Sequence, residues 1–142
     1  MTTTEIINDY TTKKKHFSET VKELADMHNT NLTAMQYEFY NHVTLRNRDV
    51  KLLIFIECTF RDFVTIDKVS AERIVFKNCK ISNRVNFKSS NAQKITFLDC
   101  NIQNEINFDY CNIDSLVFGG CKMSKTGDMQ IADCCMPFVY IG

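Results

Sequence analysis

The sequence carries no net charge, its 17 Lys and Arg residues being matched by 17 Asp and Glu. That balance excludes a polyanion mimic or a generic nucleic-acid binder at the level of the whole molecule, so charged partners must be met by local patches. Long apolar runs are missing as well. The longest, Leu52 to Ile56, falls far short of the roughly 20 residues needed to cross a bilayer. No charged start leads into an apolar stretch and a cleavage-like site, so no signal peptide is expected. The reading is a soluble, cytoplasmic protein without membrane contact, in a reducing compartment. Glycine is scarce at four residues, and no glycine-rich phosphate loop is present; Gly119 and Gly120 read as a corner pair. The histidines, His16, His28 and His42, have no Ser, Asp or Cys at a catalytic spacing. Neither an enzyme nor a cofactor is expected. A chain of 142 residues has room for one domain, or one domain with a small cap.

What the chain does have is a period. Cys58, Cys79, Cys100 and Cys121 are spaced by 21 residues, and so are Phe55, Phe76, Phe97 and Phe118. A fixed period of this length marks stacked repeats. From Val43 onward the apolar residues come in pairs at i and i+2, the strand period. One period reads Cys79 with Ile81, Val85 with Phe87, Ser90 with Ala92, and Ile95 with Phe97; the periods before and after it repeat all eight positions. Each pair predicts a short strand with two side chains inward, and each gap predicts a corner. Four strands and four corners close one square coil, and coils stacked about 4.8 Å apart form parallel in-register ladders. Inward burial at about 2 kcal/mol per side chain does not cover an ordering cost of about 1.5 kcal/mol per residue. A single coil therefore cannot fold alone, and neighbours must cover its open ends.

The ends of the pattern are less regular. In the starting coil, Val43 with Leu45 and Leu53 with Phe55 are regular, but Arg48 breaks the inward rule and predicts an irregular or capped face. In the last coil, Met129 with Ile131, Cys134 with Met136, and Val139 with Ile141 keep the pattern if two extra residues occupy the loop Ser124 to Asp128, where Gly127 suits a bulge. Before the repeats, residues 1–42 read as an N-terminal segment with two short helices. Ser18 caps a helix from Glu19 to His28 whose stripe is Phe17, Val21, Leu24, Ala25 and His28. Leu32, Met35 and Phe39 predict a second helix within Asn31 to Asn41. Neither is long enough to stand alone in water, so both should dock on the open end of the first coil. Lys13, Lys14 and Lys15 read as a solvated basic cluster.

The pairs and their 2, 3, 2, 3 spacing resemble the pentapeptide-repeat proteins, with runs such as VNFKSSNAQKITFLDCNIQNEINF close to the looser branch of that family. The likeness covers Val43 to Ile141. One extra residue at Ser82 to Arg84, and again at Gln103 to Glu105, turns a coil of twenty into one of twenty-one. The resemblance implies an all-β solenoid, a right-handed quadrilateral parallel β-helix of about four to five coils over residues 43–142, preceded by the short N-terminal helical cap read from the residues. It implies a non-catalytic role in protein–protein interaction as an inhibitor, protector or effector. The alternative is a nucleic-acid mimic or binder of the topoisomerase-protecting type, or a phage-encoded anti-defence inhibitor. Well-known members are acidic dimers, and in acidity this neutral chain departs from them.

Seven cysteines invite a metal or redox reading. Four occupy one inward column and Cys111 with Cys134 another, where small thiols pack as filler. A linear stack offers no tetrahedral convergence for zinc, so no metal is expected, and only Cys135 should point outward. Column neighbours are near enough for a disulfide but should remain thiols in a reducing compartment. The outward positions Ile54, Val75, Thr96, Val117 and Tyr140 form an apolar face, with Leu52, Phe63, Leu98, Tyr110 and Phe138 at corners; the other three faces should be solvated. Such a stripe predicts either cover by the N-terminal helices or a macromolecular target, protein rather than nucleic acid. Charge is polarised: residues 43–94 hold eleven basic and five acidic residues, and residues 95–142 two basic and six acidic. The last residues carry no charge and no polar cap, which predicts a homodimer through Met136, Phe138, Tyr140 and Ile141.

Overall fold

The computed structural model describes residues 32–40, 42–123 and 129–142. The expected helix Glu19 to His28, the Lys13 to Lys15 cluster and the bulged loop with Gly127 lie outside them.

The described chain winds as an all-β parallel solenoid of about five turns. A first partial turn holds β1 (Leu32–Met35) and β2 (Glu38–Phe39), followed by β3 (Val43–Ile56) with β4 (Thr59–Phe60) and β5 (Val64–Lys77) with β6 (Lys80–Ile81). In the next turns the long strands divide into β7 (Val85–Lys88) and β8 (Asn91–Leu98), then β10 (Ile106–Asp109) and β11 (Asn112–Gly119), each turn ending in a two-residue strand, β9 (Asn101–Ile102) or β12 (Lys122–Met123). The last turn holds β13 (Met129–Ala132) and β14 (Phe138–Ile141). Every ladder is parallel. Partners lie 21 residues apart, as in Val64 with Val85 and Val85 with Ile106. The final step, Ile106 with Met129, is 23 residues, which accommodates the two extra residues read from the sequence.

Burial follows the alternation. Val64, Ile66, Ile74, Phe76, Ile81, Val85, Phe87 and Phe97 are all completely buried. In-register stacking brings like rings face to face: Phe76 on Phe97 at 4.8 Å with planes 4° apart, Phe97 on Phe118 at 4.9 Å, and Phe87 on Phe108 at 4.8 Å. The ring spacing is the strand spacing, so backbone pairing and aromatic stacking reinforce one another.

Two expectations are corrected. The helix predicted within Asn31 to Asn41 is replaced by β1 and β2, which pair with β3 and β4 as Ala34 with Phe55 and Phe39 with Phe60. The solenoid thus begins by Leu32. Burying Ala34 and Phe39 completely on a ready-made apolar edge outweighs the helical spacing of Leu32, Met35 and Phe39. Arg48 does not break its face either: β3 runs unbroken through it, Arg48 pairs with Val69, and its side chain is only 3% exposed.

The corners explain the turn. Glu57, Asn78, Asp99 and Gly120 precede the cysteine column in the left-handed region, with φ between 52° and 63°. Asn47, Lys68, Ser89, Tyr110 and Asp133 do the same one face later. Asn, Asp and Gly accept that conformation readily. At the wider corner Asp62, Asn83 and Asn104 accept a hydrogen bond from the next backbone N–H, at 2.7–2.9 Å.

Candidate interaction surfaces

The expected outward column is a physical ladder. Thr33, Ile54, Val75, Thr96, Val117 and Tyr140 are successive register partners across β1, β3, β5, β8, β11 and β14. Neighbours in the ladder shield one another, so Ile54, Val75 and Val117 are half-buried and Thr96 is 9% exposed; only Tyr140, at the end, is open. Of the apolar corner residues, Leu52 and Leu98 are half-buried, while Phe63, Tyr110 and Phe138 are exposed. The columns flanking the ladder are Leu52, Arg73, Lys94, Ser115 and Phe138 on one side, and Ile56, Lys77, Leu98 and Gly119 on the other. The three columns contain no carboxylate, and the exposed Arg73, Lys77 and Lys94 have no ion-pair partner among the described residues. The sequence reading missed this, although listing i±2 neighbours of the outward column would have found it.

The other faces are polar but not uniformly solvated. Thr65 is 8% exposed because His42 covers it, with Nε2 at 2.9 Å from its hydroxyl and the ring edge-on to Phe63. His42 therefore belongs to the first turns of the solenoid and not to a separate cap. Asn107 donates to Asn86 one turn away at 3.0 Å. A shallow groove of about 500 Å³ follows another face, its walls formed by Asp49, Glu72, Asn91 and Asp114 and its floor by Ala71 and Ala92. Alternating charges join successive turns elsewhere: Arg46 pairs in register with Asp67, Asp67 with Lys88 and Lys88 with Asp109, and the Arg46–Asp67 contact is 3.7 Å. Arg61 binds Glu38 at 2.6 Å and lies over the Tyr40 ring.

Among the described residues the C-terminal turn is the least covered. β13 and β14 are end strands of their sheet, paired on one side only among the described residues. Ile131 is 45% exposed, Val139 40% and Ile141 61%, although all three continue inward columns. Phe138 and Tyr140 beside them are 54% and 53% exposed. Of the residues expected at a dimer interface, Met136 is half-buried against the core and the other three are open.

The thiols do more than fill space. Cys58, Cys79, Cys100 and Cys121 each hold the thiol within reach of two carbonyls that share its one hydrogen, at the corner two residues back and in the turn before: Cys100 lies 3.3 Å from Leu98 and 3.2 Å from Phe76. Ser90 bridges Lys88 and Ile66 in the same way. The corner carbonyls also accept a backbone N–H from the neighbouring turn, Lys77 from Glu57 and Leu98 from Asn78, so the thiol is a second donor to an oxygen already paired. For Cys79 the Cys100 thiol acts to lower the pKa, but the Cys58 thiol and burial outweigh it and push the group up to about 12; Cys100, between Cys121 and Cys79, is likewise pushed up to about 12. Cys135 is exposed, as expected. Among the described residues no three His, Cys, Asp or Glu side chains are placed to hold a metal ion, and no helix is long and apolar enough to cross a membrane.

These features define a class, the parallel β-solenoid of 21-residue turns with apolar surfaces on one face and at one end. Comparison with family models, curated proteins and solved structures finds no match for the chain.

Proposed function

We propose that the protein is a non-catalytic interaction module of the pentapeptide-repeat kind, a small solenoid that inhibits, protects or scaffolds a protein target. The observation that carries this reading is the C-terminal turn, where Ile131, Phe138, Val139, Tyr140 and Ile141 are exposed and β13 and β14 are paired on one side only among the described residues. Such an edge is a template for another chain. A second copy docked about a two-fold axis covers both ends at once, leaving the Ile54 to Val117 face, flanked by Arg73, Lys77 and Lys94, for the target. Light scattering at micromolar concentration should report twice the monomer mass, and Val139→Asp with Ile141→Asp should return the monomer. A monodisperse monomer of the unaltered chain defeats the dimer. Target binding is read separately by affinity capture from the native cell, with Val75→Asp as the variant expected to lose it; capture unchanged by that substitution defeats the target face.

A second reading, a nucleic-acid mimic or binder of the topoisomerase-protecting type, is favoured by the charge gradient along the axis. Salt-dependent DNA binding or protection of gyrase in a supercoiling assay supports it.

A further inference from the structure

Cys111 and Cys134 occupy one inward column on adjacent turns, fixed by the bridge between their neighbours Asn112 and Cys135. One inter-strand step is about 4.8 Å, inside the Cα separation that a disulfide spans. The pair differs from the four-thiol column in how its hydrogen bonds run. Among the described residues Cys111 donates only to the corner carbonyl of Asp109, at 3.4 Å, and Cys134 only to that of Ala132, at 3.1 Å. The Cys134 sulfur instead accepts from the Cys111 backbone N–H at 3.2 Å, which brings it down onto the turn beneath. Access differs as well. Cys111 is 3% exposed, whereas Cys134 is half-buried in the open last turn. Burial pushes the Cys111 thiol up, and the neighbouring Cys134 adds to that against two backbone hydrogen bonds.

We propose that Cys111 and Cys134 are an oxidisable pair, closed to a disulfide by a small disulfide oxidant of the glutathione type, and that the bond staples the last turn to the one before it. Cys134, the accessible thiol, attacks the oxidant as its thiolate; a bond forms from its sulfur to one glutathione sulfur, the oxidant's S–S bond breaks, and one glutathione thiolate leaves. Cys111 then gives up its proton and attacks the Cys134 sulfur, displacing the second glutathione. Two protein thiols lose two electrons, and one glutathione disulfide becomes two thiols carrying the two released protons. Cys135 takes no part, because its side chain points to the opposite side of the strand, into solvent.

The test is incubation of the full chain with excess oxidised glutathione, followed by intact mass and peptide mapping without reductant. The expected product has lost two hydrogens and carries a Cys111–Cys134 link; Cys111→Ser or Cys134→Ser abolishes it and Cys135→Ser does not. Oxidation should also slow hydrogen exchange in residues 129–142 severalfold, reversibly with dithiothreitol. Each serine variant is checked for fold by circular dichroism, and Cys111→Ser still forms the mixed disulfide on Cys134 if it is folded. A persistent mixed disulfide in the unaltered chain, a Cys134–Cys135 link, or a Cys135 bridge between two copies overturns the proposal.

Discussion

At the scale of single residues, position in a column decides the energetics more than chemical type. Phe97 lies between Phe76 and Phe118 with its planes almost parallel to theirs and no exposed surface. Phe97→Ala should therefore destabilise by about 3–5 kcal/mol, against about 1 kcal/mol or less for Asn86→Ala, which loses only the half-buried amide contact from Asn107. Urea denaturation checks the pair, and equal losses are incompatible with the register. The thiols add a pH dependence. An unfolded thiol releases its proton near pH 8.5, whereas folded Cys79 and Cys100 keep theirs to about 12. The unfolded state thus binds fewer protons in that window. Their contribution is complete below the unfolded value and falls as pH rises toward 12. Cys100→Ser keeps a donor for the carbonyls of Phe76 and Leu98 but removes the titration, so its stability should decline less steeply in chemical denaturation between pH 9 and 11.

At the scale of elements, the turn is built by left-handed corners that not every residue suits. Lys68 and Tyr110 hold φ of 54° with a Cβ attached, which costs about 1–2 kcal/mol relative to glycine. Lys68→Gly, on an exposed corner, should recover about 1 kcal/mol in thermal or urea unfolding; a loss means that the lysine side chain holds the corner in another way. The strands themselves were legible, because the inward positions from Cys79 to Phe97 recur in the periods before and after them, as was the two-residue insertion before Met129. β1 and β2 were not. Leu32, Met35 and Phe39 satisfy a helical stripe while Ala34 and Phe39 satisfy the strand columns, and such short segments are decided by the surface they meet. The apolar face was legible as a column, but its half-burial and its flanking Arg73, Lys77 and Lys94 depend on neighbours one strand away. The thiol contacts to corner carbonyls were illegible, since the left-handed corner carries no fixed residue signature: Glu57, Asn78 and Asp99 fill one column of it.

At the scale of the whole molecule, each turn is supported only by the turns above and below it, so stability is close to a sum over interfaces. The last turn has one such interface among the described residues, and its inward Ile131, Val139 and Ile141 are exposed. Amide exchange in the monomer should be fastest in β13 and β14 and slowest in β5 and β8, which have turns on both sides; uniform exchange points to a single cooperative unit instead. Stacks of like turns also face a hazard of their own, the looping out of one whole repeat, because the next offers nearly the same apolar face. The column Arg46, Asp67, Lys88, Asp109 works against it. Omitting the turn of Asp67 places Arg46 on Lys88, and omitting that of Lys88 places Asp67 on Asp109, like charges one strand apart. The alternation acts as a parity check on the order of the turns, rejecting a miscounted stack that the core alone would accept.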